Sequence, residues 1–249
     1  MKRFSLLIIA FLITLQAFSQ EEKPKNLTAF DLKRLHFGFT VGFNAMDVGF
    51  KRDFDYLGVD PDHPFVYADV SRIQPGFQVS IVSDLRLSNS WNLRFLPGIS
   101  FGSRDLYYYT YPVEEGSPAS DADPLYQVSL GPSFLDFPLL FKYRSDRLNN
   151  ARPYLVGGAN FRYDMSAKRK GKYDSETDEF VKFLPGDIYL EFGFGIDTYL
   201  KYFKFAPELK VAVGMLNILD PTGRQGFTEY TSSIESARSF IVMLNFHFE

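Results

Sequence analysis

Residues 35–43 read Leu35-His36-Phe37-Gly38-Phe39-Thr40-Val41-Gly42-Phe43, so that apolar side chains occupy every odd position and polar or small residues every even one. Successive side chains of a β-strand point to opposite faces, whereas a helical face would repeat about every 3.6 residues. The stretch therefore predicts a strand with one apolar face and one polar or small face.

The same alternation returns further along the chain, in residues 77–87, 91–101, 135–143, 155–163, 188–196, 203–215 and 240–248. Short links alternate with long links. The short links lie near residues 88–90, 145–151 and 199–202, and the long links lie near residues 51–74, 103–130, 166–186 and 217–237. Short turns at one rim and long loops at the other are typical of outer-membrane barrels, which have an even number of strands. We therefore predict an all-β fold, an eight-stranded antiparallel up-and-down transmembrane β-barrel with four long extracellular loops and three short periplasmic turns.

A soluble β-sandwich is the alternative that this alternation leaves open, because two such sheets could bury their apolar faces against each other. The aromatic content of 17% favours the barrel. Trp91 and Tyr143 fall near strand ends, where membrane interfaces collect aromatic rings. Inside the predicted strands, we expect bulges or local breaks at Pro97, Pro138 and Pro207, since proline has no backbone donor.

The first twenty residues have the pattern of an export signal. Two basic residues precede an apolar run over residues 4–18, and Ala17 and Ser19 stand where signal peptidase needs small side chains. An uncleaved anchor helix is the weaker alternative, because the run is short for a span. The predicted location is the outer membrane of a Gram-negative bacterium, with both termini in the periplasm. The predicted parts are a signal peptide at 1–19, a periplasmic N-terminal segment at 20–34 and the barrel at 35–249.

Composition excludes several classes of function. The chain of 249 residues has no Cys, which excludes disulfide scaffolds, Cys-ligated zinc and cysteine nucleophiles, and three His argue against a polyhistidine metal site. A net charge of −3 argues against a nucleic-acid partner. Outer-membrane hydrolases need a Ser–His pair, but His36 and His247 face the interior by parity and no Ser stands two residues after His247. We predict no enzymatic activity and no cofactor.

The polar faces of the predicted strands carry charges of both signs, which a barrel turns towards its lumen. A small barrel has an interior filled by side chains, and charges buried there must pair. A proton or ion path is the alternative to a structural network. The predicted lumen network consists of Asp84, Arg86, Arg94, Lys142, Arg144, Arg162, Glu191, Asp197, Glu208 and Lys210, with Asp136 and Asp164 on the same face.

Three stretches in the predicted loops carry weaker signals. His63 and the acidic stretch 114–123 are candidates for a cation such as calcium, which prefers oxygen ligands. The basic stretch 168–172 is a candidate for contact with lipopolysaccharide phosphates. A solvated loop is the competing interpretation of each.

One strand–turn–strand in residues 132–168 is distinctive. This signature hairpin contains Asp136, Phe137, Pro138, Lys142, Tyr143, Asn150, Arg152, Pro153, Tyr154, Gly157 and Gly158. It resembles the corresponding region of the PorT family of Bacteroidetes outer-membrane barrels, with Asp136 standing where relatives often carry Glu. The resemblance implies an accessory role in type IX secretion and gliding motility, with other type IX outer-membrane components as partners. It implies no catalytic residues.

Two functions of different class follow. The first is a non-enzymatic accessory barrel that docks on a larger translocon, and the second is a small autonomous barrel that binds or passes an apolar or small solute. Both place the protein among outer-membrane lipid and lipopolysaccharide. Recovery with large outer-membrane proteins would favour the first, and single-channel conductance or an apolar ligand in the lumen would favour the second.

Overall fold

The computed structural model describes residues 24–52, 65–70, 74–111, 126–166, 183–219 and 234–249. Four features of the sequence lie outside these described residues, namely the predicted signal peptide, His63, the acidic stretch 114–123 and the basic stretch 168–172.

The described residues form one short 3₁₀ helix and a series of strands. The helix η1 spans Phe30–Leu32. The strands are β1 (Leu35–Arg52), β2 (Phe65–Val70), β3 (Gln74–Arg86), β4 (Trp91–Phe95), β5 (Gly98–Phe101), β6 (Arg104–Tyr111), β7 (Tyr126–Leu130), β8 (Ser133–Arg144), β9 (Ala151–Asp164), β10 (Gly186–Tyr199), β11 (Lys204–Gly214) and β12 (Ile234–Phe248). Within the described ranges, no helix has the length and hydropathy needed to cross a membrane.

Eight strands close into a ring. Strands β4 and β5 are two pieces of one strand, because both pair with β3 on one side and with β8 on the other. The antiparallel neighbours then run β1, β3, β4/β5, β8, β9, β10, β11 and β12, and β12 pairs back to β1. This confirms the predicted eight-stranded antiparallel up-and-down barrel.

Prolines interrupt the ring where they remove backbone donors. Leu96 and Pro97 separate β4 from β5, and the Leu96 N–H donates to the carbonyl of Pro138 across the gap at 3.1 Å. Beside Pro207, the β10–β11 ladder skips two residue pairs. The breaks expected near the three prolines are present, and the pairing register is the same on both sides of each one.

A second sheet extends the barrel at one end. Strands β2, β6 and β7 pair in the order β2-β6-β7, and β6 and β7 continue the directions of β5 and β8 after two residues each. The alternation did not predict these strands, because the aromatic run Tyr107-Tyr108-Tyr109 has no period of two. We call this end of the barrel the loop rim. The opposite end, with the turns at residues 87–90, 145–150 and 200–203, is the turn rim.

Side-chain exposure follows the alternation of the sequence. Phe37 and Phe192 point outwards and are 65% and 58% exposed, whereas Thr40 and Glu191 point inwards and are 1% exposed. An apolar outer belt around a polar interior is the reverse of a soluble sandwich. The outer surface is therefore suited to contact with lipid.

The interior of the ring is divided along its axis. Towards the loop rim it holds a buried apolar cluster of Met46, Phe134, Tyr189, Ala212, Ile241 and Met243. Towards the turn rim, the inward positions carry mostly charged and polar side chains, with two smaller apolar clusters among them. The charged part is where a functional site would have to lie.

Candidate functional site

Arg94 is the centre of a network in the half of the lumen nearest the turn rim. Its guanidinium donates to Asp84 at 3.0 Å, to Glu208 at 3.2 Å and to Glu249 at 3.3 Å. The amide of Asn92 donates to the other oxygen of Asp84, and the four charged side chains have no solvent exposure. One cation thus ties β3, β4 and β11 to the end of β12.

Two lysines complete this network. The ammonium of Lys142 donates to Asp197 at 2.7 Å, and that of Lys204 donates to Glu249 at 2.7 Å. Burial alone would raise the pKa of the Glu249 carboxyl, but Lys204 and Arg94 hold this pKa below its ordinary value. Glu249 is therefore ionised and serves both cations.

A hydroxyl, an imidazole and a carboxylate stand in line beside this network. Thr40 Oγ1 lies 2.6 Å from Nδ1 of His247. Nε2 of His247 lies 3.3 Å from Glu208, which also accepts a hydrogen bond from the Tyr154 hydroxyl at 3.0 Å. The order is that of a hydrolase nucleophile with its base and acid, but Thr40 and His247 are 1% and 0% exposed. Because these side chains are buried, the arrangement suits a structural link between β1, β11 and β12 better than attack on a substrate.

Arg162 and Lys210 carry a second network nearer the loop rim. Arg162 donates to both carboxylate oxygens of Asp136, and the ammonium of Lys210 lies 2.6 Å from Glu191. The Asn160 amide joins the two pairs, because it donates to Glu191 at 2.7 Å and to Asp136 at 3.4 Å. The network links β8, β9, β10 and β11.

The structure places two of the predicted inward-facing charges, Arg86 and Asp164, at the ends of their strands, where they are half-buried. Arg86 is the last residue of β3 and lies at the turn rim, where it donates to the Asp31 carbonyl oxygen and to the Asn89 side chain. Asp164, the last residue of β9, likewise lies at a rim and accepts from the Ser166 hydroxyl at 2.5 Å. Alternation assigns a residue to a face but not to a height along the strand, which explains both departures. The remaining predicted charges are buried and face inwards, namely Asp84, Arg94, Lys142, Arg144, Arg162, Glu191, Asp197, Glu208 and Lys210. Arg144 is the last residue of β8, so its buried side chain lies at the turn end of the lumen.

Sequence reasoning missed four members of these networks. Lys204 and Glu249 each directly follow a Phe of the alternating pattern, so the same parity argument could have found them. Asn92 and Asn160 are neutral, and a search for charged residues passes over them.

A small cavity of about 20 Å³ lies between the two networks, with Thr40, Gln78, Asp136, Glu191 and His247 among its lining residues. Space of that size holds about one water molecule, whereas ligand pockets are typically hundreds of Å³. In the described part of the chain, no three His, Asp or Glu side chains group in a way that could hold a metal ion.

The N-terminal segment, residues 24–34, lies across the turn rim. Phe30 in η1 stacks on His36 with ring centroids 4.2 Å apart and meets Tyr199 edge-on at 6.4 Å. Nε2 of His36 lies 2.7 Å from the Phe30 carbonyl oxygen, and the Lys204 ammonium lies 5.0 Å from the centroid of the Phe30 ring. The segment therefore covers the turn end of the lumen.

The carboxylate of Asp31 in this segment lies near three guanidinium groups. Its oxygens lie 3.4 Å from Arg144, 3.9 Å from Arg147 and 3.6 Å from Arg152. The Tyr199 hydroxyl donates to the same carboxylate at 3.0 Å. We call Asp31 and these three arginines the rim cluster.

The N-terminal segment is also bonded to the turn at residues 145–150. The Asn26 N–H donates to Oδ1 of Asn150 at 2.9 Å, and Arg147 donates to the Asn26 carbonyl oxygen at 2.6 Å. Asn149 has a φ of 53°, in the left-handed region that Asn tolerates better than most residues. Two parts of the chain that are far apart in sequence thus form one surface at the turn rim.

The residues of the signature hairpin do not converge on one point. Some face the lumen, some face outwards and some lie at the turn rim. The first group is Asp136, Pro138, Lys142 and Tyr154, the second is Phe137, Tyr143 and Pro153, and the third is Asn150 and Arg152. At Gly158, a Cβ would lie 2.9 Å from the Leu140 Cα, whereas at Gly157 it would meet the Phe192 ring at 3.3 Å. The glycine that lets β8 and β9 approach closely is therefore Gly158.

Comparison with solved structures finds small outer-membrane proteins. The chain is similar to OprG from Pseudomonas aeruginosa, with 14% identity, coverage of 86% of this chain and 95% of that chain, and a TM-score of 0.44. It is similar to Neisserial surface protein A, with 10% identity, coverage of 86% and 98%, and a TM-score of 0.43. It is also similar to Ail of Yersinia pestis, with 12% identity, coverage of 87% and 98%, and a TM-score of 0.33. No curated protein matches the chain.

The family assignment comes from a model that covers most of the chain. Residues 18–220 match the family described as outer membrane protein beta-barrel domain. The closed ring and its apolar outer belt are the architecture which that description requires. The chain therefore belongs to the outer membrane protein beta-barrel domain family, and its location is the outer membrane.

Proposed function

We propose that the protein is a non-enzymatic, non-conducting barrel that serves as an accessory component of the type IX secretion system by docking on a larger translocon. The observation that carries this proposal is the closed lumen. Two buried ion-pair networks fill the ring, and the N-terminal segment covers its turn end. An eight-stranded barrel filled by its own side chains suits a scaffold better than a conduit.

The secretion role rests on the resemblance of the signature hairpin to the PorT family, which also implies a part in gliding motility where that machinery is present. The turn of this hairpin packs against the N-terminal segment. The region that carries the resemblance therefore forms part of the turn rim, which is the surface that we propose for docking. In this arrangement the turn rim and both termini face the periplasm, and the long loops face the exterior, among lipopolysaccharide.

The alternative, a barrel that binds or passes a small solute, receives little support from the lumen. The cavity of about 20 Å³ holds about one water molecule. A solute would have to displace ion pairs whose charges have no solvent exposure, and breaking such pairs is strongly unfavourable.

Deletion of the gene tests the proposed function. Export of type IX cargo should stop. Uptake of a small hydrophilic antibiotic should stay at the parental level, because a barrel with a filled lumen passes no solute and its removal takes away no path. Re-expression of the intact chain is the control and should restore export. Normal cargo export together with altered antibiotic uptake would contradict the accessory role and favour the solute barrel.

A pull-down from native outer membrane tests the docking step itself. The tagged protein should recover large outer-membrane proteins in detergent, and an unrelated tagged eight-stranded barrel at the same abundance should not. Equal recovery by both barrels would show that the association is not specific to this chain.

A further inference from the structure

The described side chains that meet at the turn rim carry more positive than negative charge. Four arginines meet there, Arg86, Arg144, Arg147 and Arg152. Among the described contacts, the Asp31 carboxylate is the partner of Arg144, Arg147 and Arg152, whereas Arg86 donates to the Asp31 backbone carbonyl. The network directly inside contributes the cations Arg94, Lys142 and Lys204 and the carboxylates Asp84, Asp197, Glu208 and Glu249. Among the described side chains that contact one another here, seven cations thus face five carboxylates.

The Asp31 carboxylate contacts the arginines of this positive surface only at long distances. Its oxygens lie 3.4 to 3.9 Å from the three guanidiniums, whereas charge-assisted hydrogen bonds are typically about 2.7–2.9 Å long. The rim cluster also lacks the two-point contact with which an arginine usually holds a carboxylate.

The arginines are held in place mainly by backbone carbonyl groups. Arg152 donates to the carbonyl oxygens of Ser145 and Asn89 at 2.7 and 2.8 Å, and Arg147 donates to that of Asn149 at 2.8 Å. Nε of Arg144 has no hydrogen-bond partner among the described residues, although the side chain is 2% exposed. The donors are therefore fixed in position, and one of them is unused.

We infer that the rim cluster is a carboxylate-binding site, which Asp31 occupies in cis and an acidic segment of a protein partner occupies in trans. Guanidinium groups in fixed positions match carboxylates in both charge and shape. Leu32, Leu148 and Tyr202 are 77%, 67% and 90% exposed on the same rim, and side chains of this kind give a peptide apolar anchors that a free anion would not use. The inference rests on the proposed docking role and adds the chemistry of the partner's surface.

The test is the binding of a fluorescein-labelled hexaglutamate peptide to the purified protein in detergent, followed by fluorescence anisotropy. Asp31→Asn should raise the affinity about tenfold, because it removes the competitor that occupies the site in cis. Arg144→Gln should lower the affinity about tenfold, because it removes a charge-assisted donor.

Two matched variants serve as controls. Asp146→Asn removes an exposed carboxylate and Lys201→Gln removes an exposed cation from the same rim. Each should change the affinity less than about twofold, since isolated surface charges contribute little. A gain of affinity in Asp31→Asn cannot come from misfolding, and the mobility of unheated protein in gels checks that Arg144→Gln keeps its barrel.

Equal gains from Asp31→Asn and Asp146→Asn would overturn the inference, because net charge alone would then explain binding. Displacement of the peptide by inorganic phosphate but not by acetate at equal concentration would overturn it in favour of a phosphate group such as a lipid headgroup carries. Failure of the secretion role is a separate result, seen as normal cargo export in the deletion strain. The peptide measurement on the purified barrel supports or overturns the rim cluster without reference to that result.

Discussion

At the scale of single residues, the effect of a substitution inside this lumen depends on the partner that it leaves behind. Lys210 and Glu191 are 3% and 1% exposed, and their charged groups are 2.6 Å apart. A charge that loses its partner in such a place keeps the penalty of having left water. Lys51 and Glu235 form an ion pair of the same kind, with their charged groups 2.8 Å apart, but their side chains are 69% and 50% exposed.

We expect Lys210→Gln to lower the free energy of unfolding by about 3 kcal/mol, because Glu191 stays buried without its cation. The double variant Glu191→Gln, Lys210→Gln should recover more than half of this loss, since no unpaired charge remains. Guanidinium unfolding in detergent measures both values. Lys51→Gln is the control and should cost less than about 1 kcal/mol. Similar losses for Lys51→Gln and Lys210→Gln would contradict the assignment of the second network to the interior.

A second prediction at this scale concerns the lipid-facing surface. Phe192 lies in the middle of β10 and is 58% exposed, so Phe192→Arg places a cation near the centre of the membrane. We expect this variant to destabilise the barrel by about 2–4 kcal/mol in lipid vesicles. Tyr202→Arg is the control, because Tyr202 lies in the turn at 200–203 and is 90% exposed. Equal folding yields of the two variants would show that Phe192 does not face lipid.

At the scale of the strands, the approach of β8 to β9 depends on a single missing side chain. Gly158 pairs with Leu140, and a Cβ at Gly158 would lie 2.9 Å from the Leu140 Cα. Backbone atoms cannot move aside as a flexible side chain does. At the adjacent Gly157, the only tight contact of a Cβ would be with the Phe192 ring, at 3.3 Å.

Gly158→Ala should therefore destabilise the barrel by about 1–3 kcal/mol, the usual effect of overpacking. Gly157→Ala should cost clearly less, because the Phe192 ring can turn towards lipid. Denaturant midpoints of the two variants, measured side by side in the same detergent, check the difference. An equal shift in both midpoints would mean that local backbone freedom, and not the spacing of β8 and β9, explains the glycine pair.

The strands also show which parts of the fold can be predicted from the sequence alone. Alternation predicted the eight strands of the ring and the inward position of Glu208, because one set of side chains meets lipid and the other set meets other side chains. It did not separate β4 from β5, although Pro97 indicated a break there. It gave no sign of β6, since Tyr107 belongs to an aromatic run without alternation.

The candidate site was less predictable than the fold. Asp31 lies in a segment without alternation, and its partners Arg144, Arg147 and Arg152 follow it by more than a hundred residues. A contact between residues so far apart in the sequence leaves no local pattern from which it could be predicted. The position of Arg86 at the end of the lumen was unpredictable for a related reason, because only the closed ring reveals how far along the lumen a residue lies.

At the scale of the whole molecule, the proposed orientation in the membrane can be tested by labelling. The chain has no Cys, so a single introduced Cys gives an unambiguous signal. On intact cells, an impermeant thiol reagent should label Lys170→Cys and spare Asp146→Cys, because long loops face the exterior and short turns face the periplasm. Permeabilised cells are the control and should label both positions. The reverse pattern on intact cells would mean that the turn rim faces the exterior.

The N-terminal segment has a consequence for the order in which the molecule assembles. It precedes the first strand, yet Asn26 bonds to Asn150 and to the carbonyl of Tyr199, which lie 124 and 173 positions away. Contacts between such distant parts of a chain form late, because long loops must close before the contacts can stabilise them. The segment can settle only after the β8–β9 and β10–β11 hairpins have both arrived. The N-terminal segment is the first described part of the chain to be synthesised. It is therefore among the last parts to reach its final position, and its contacts with Asn150 and Tyr199 form only when the barrel is complete.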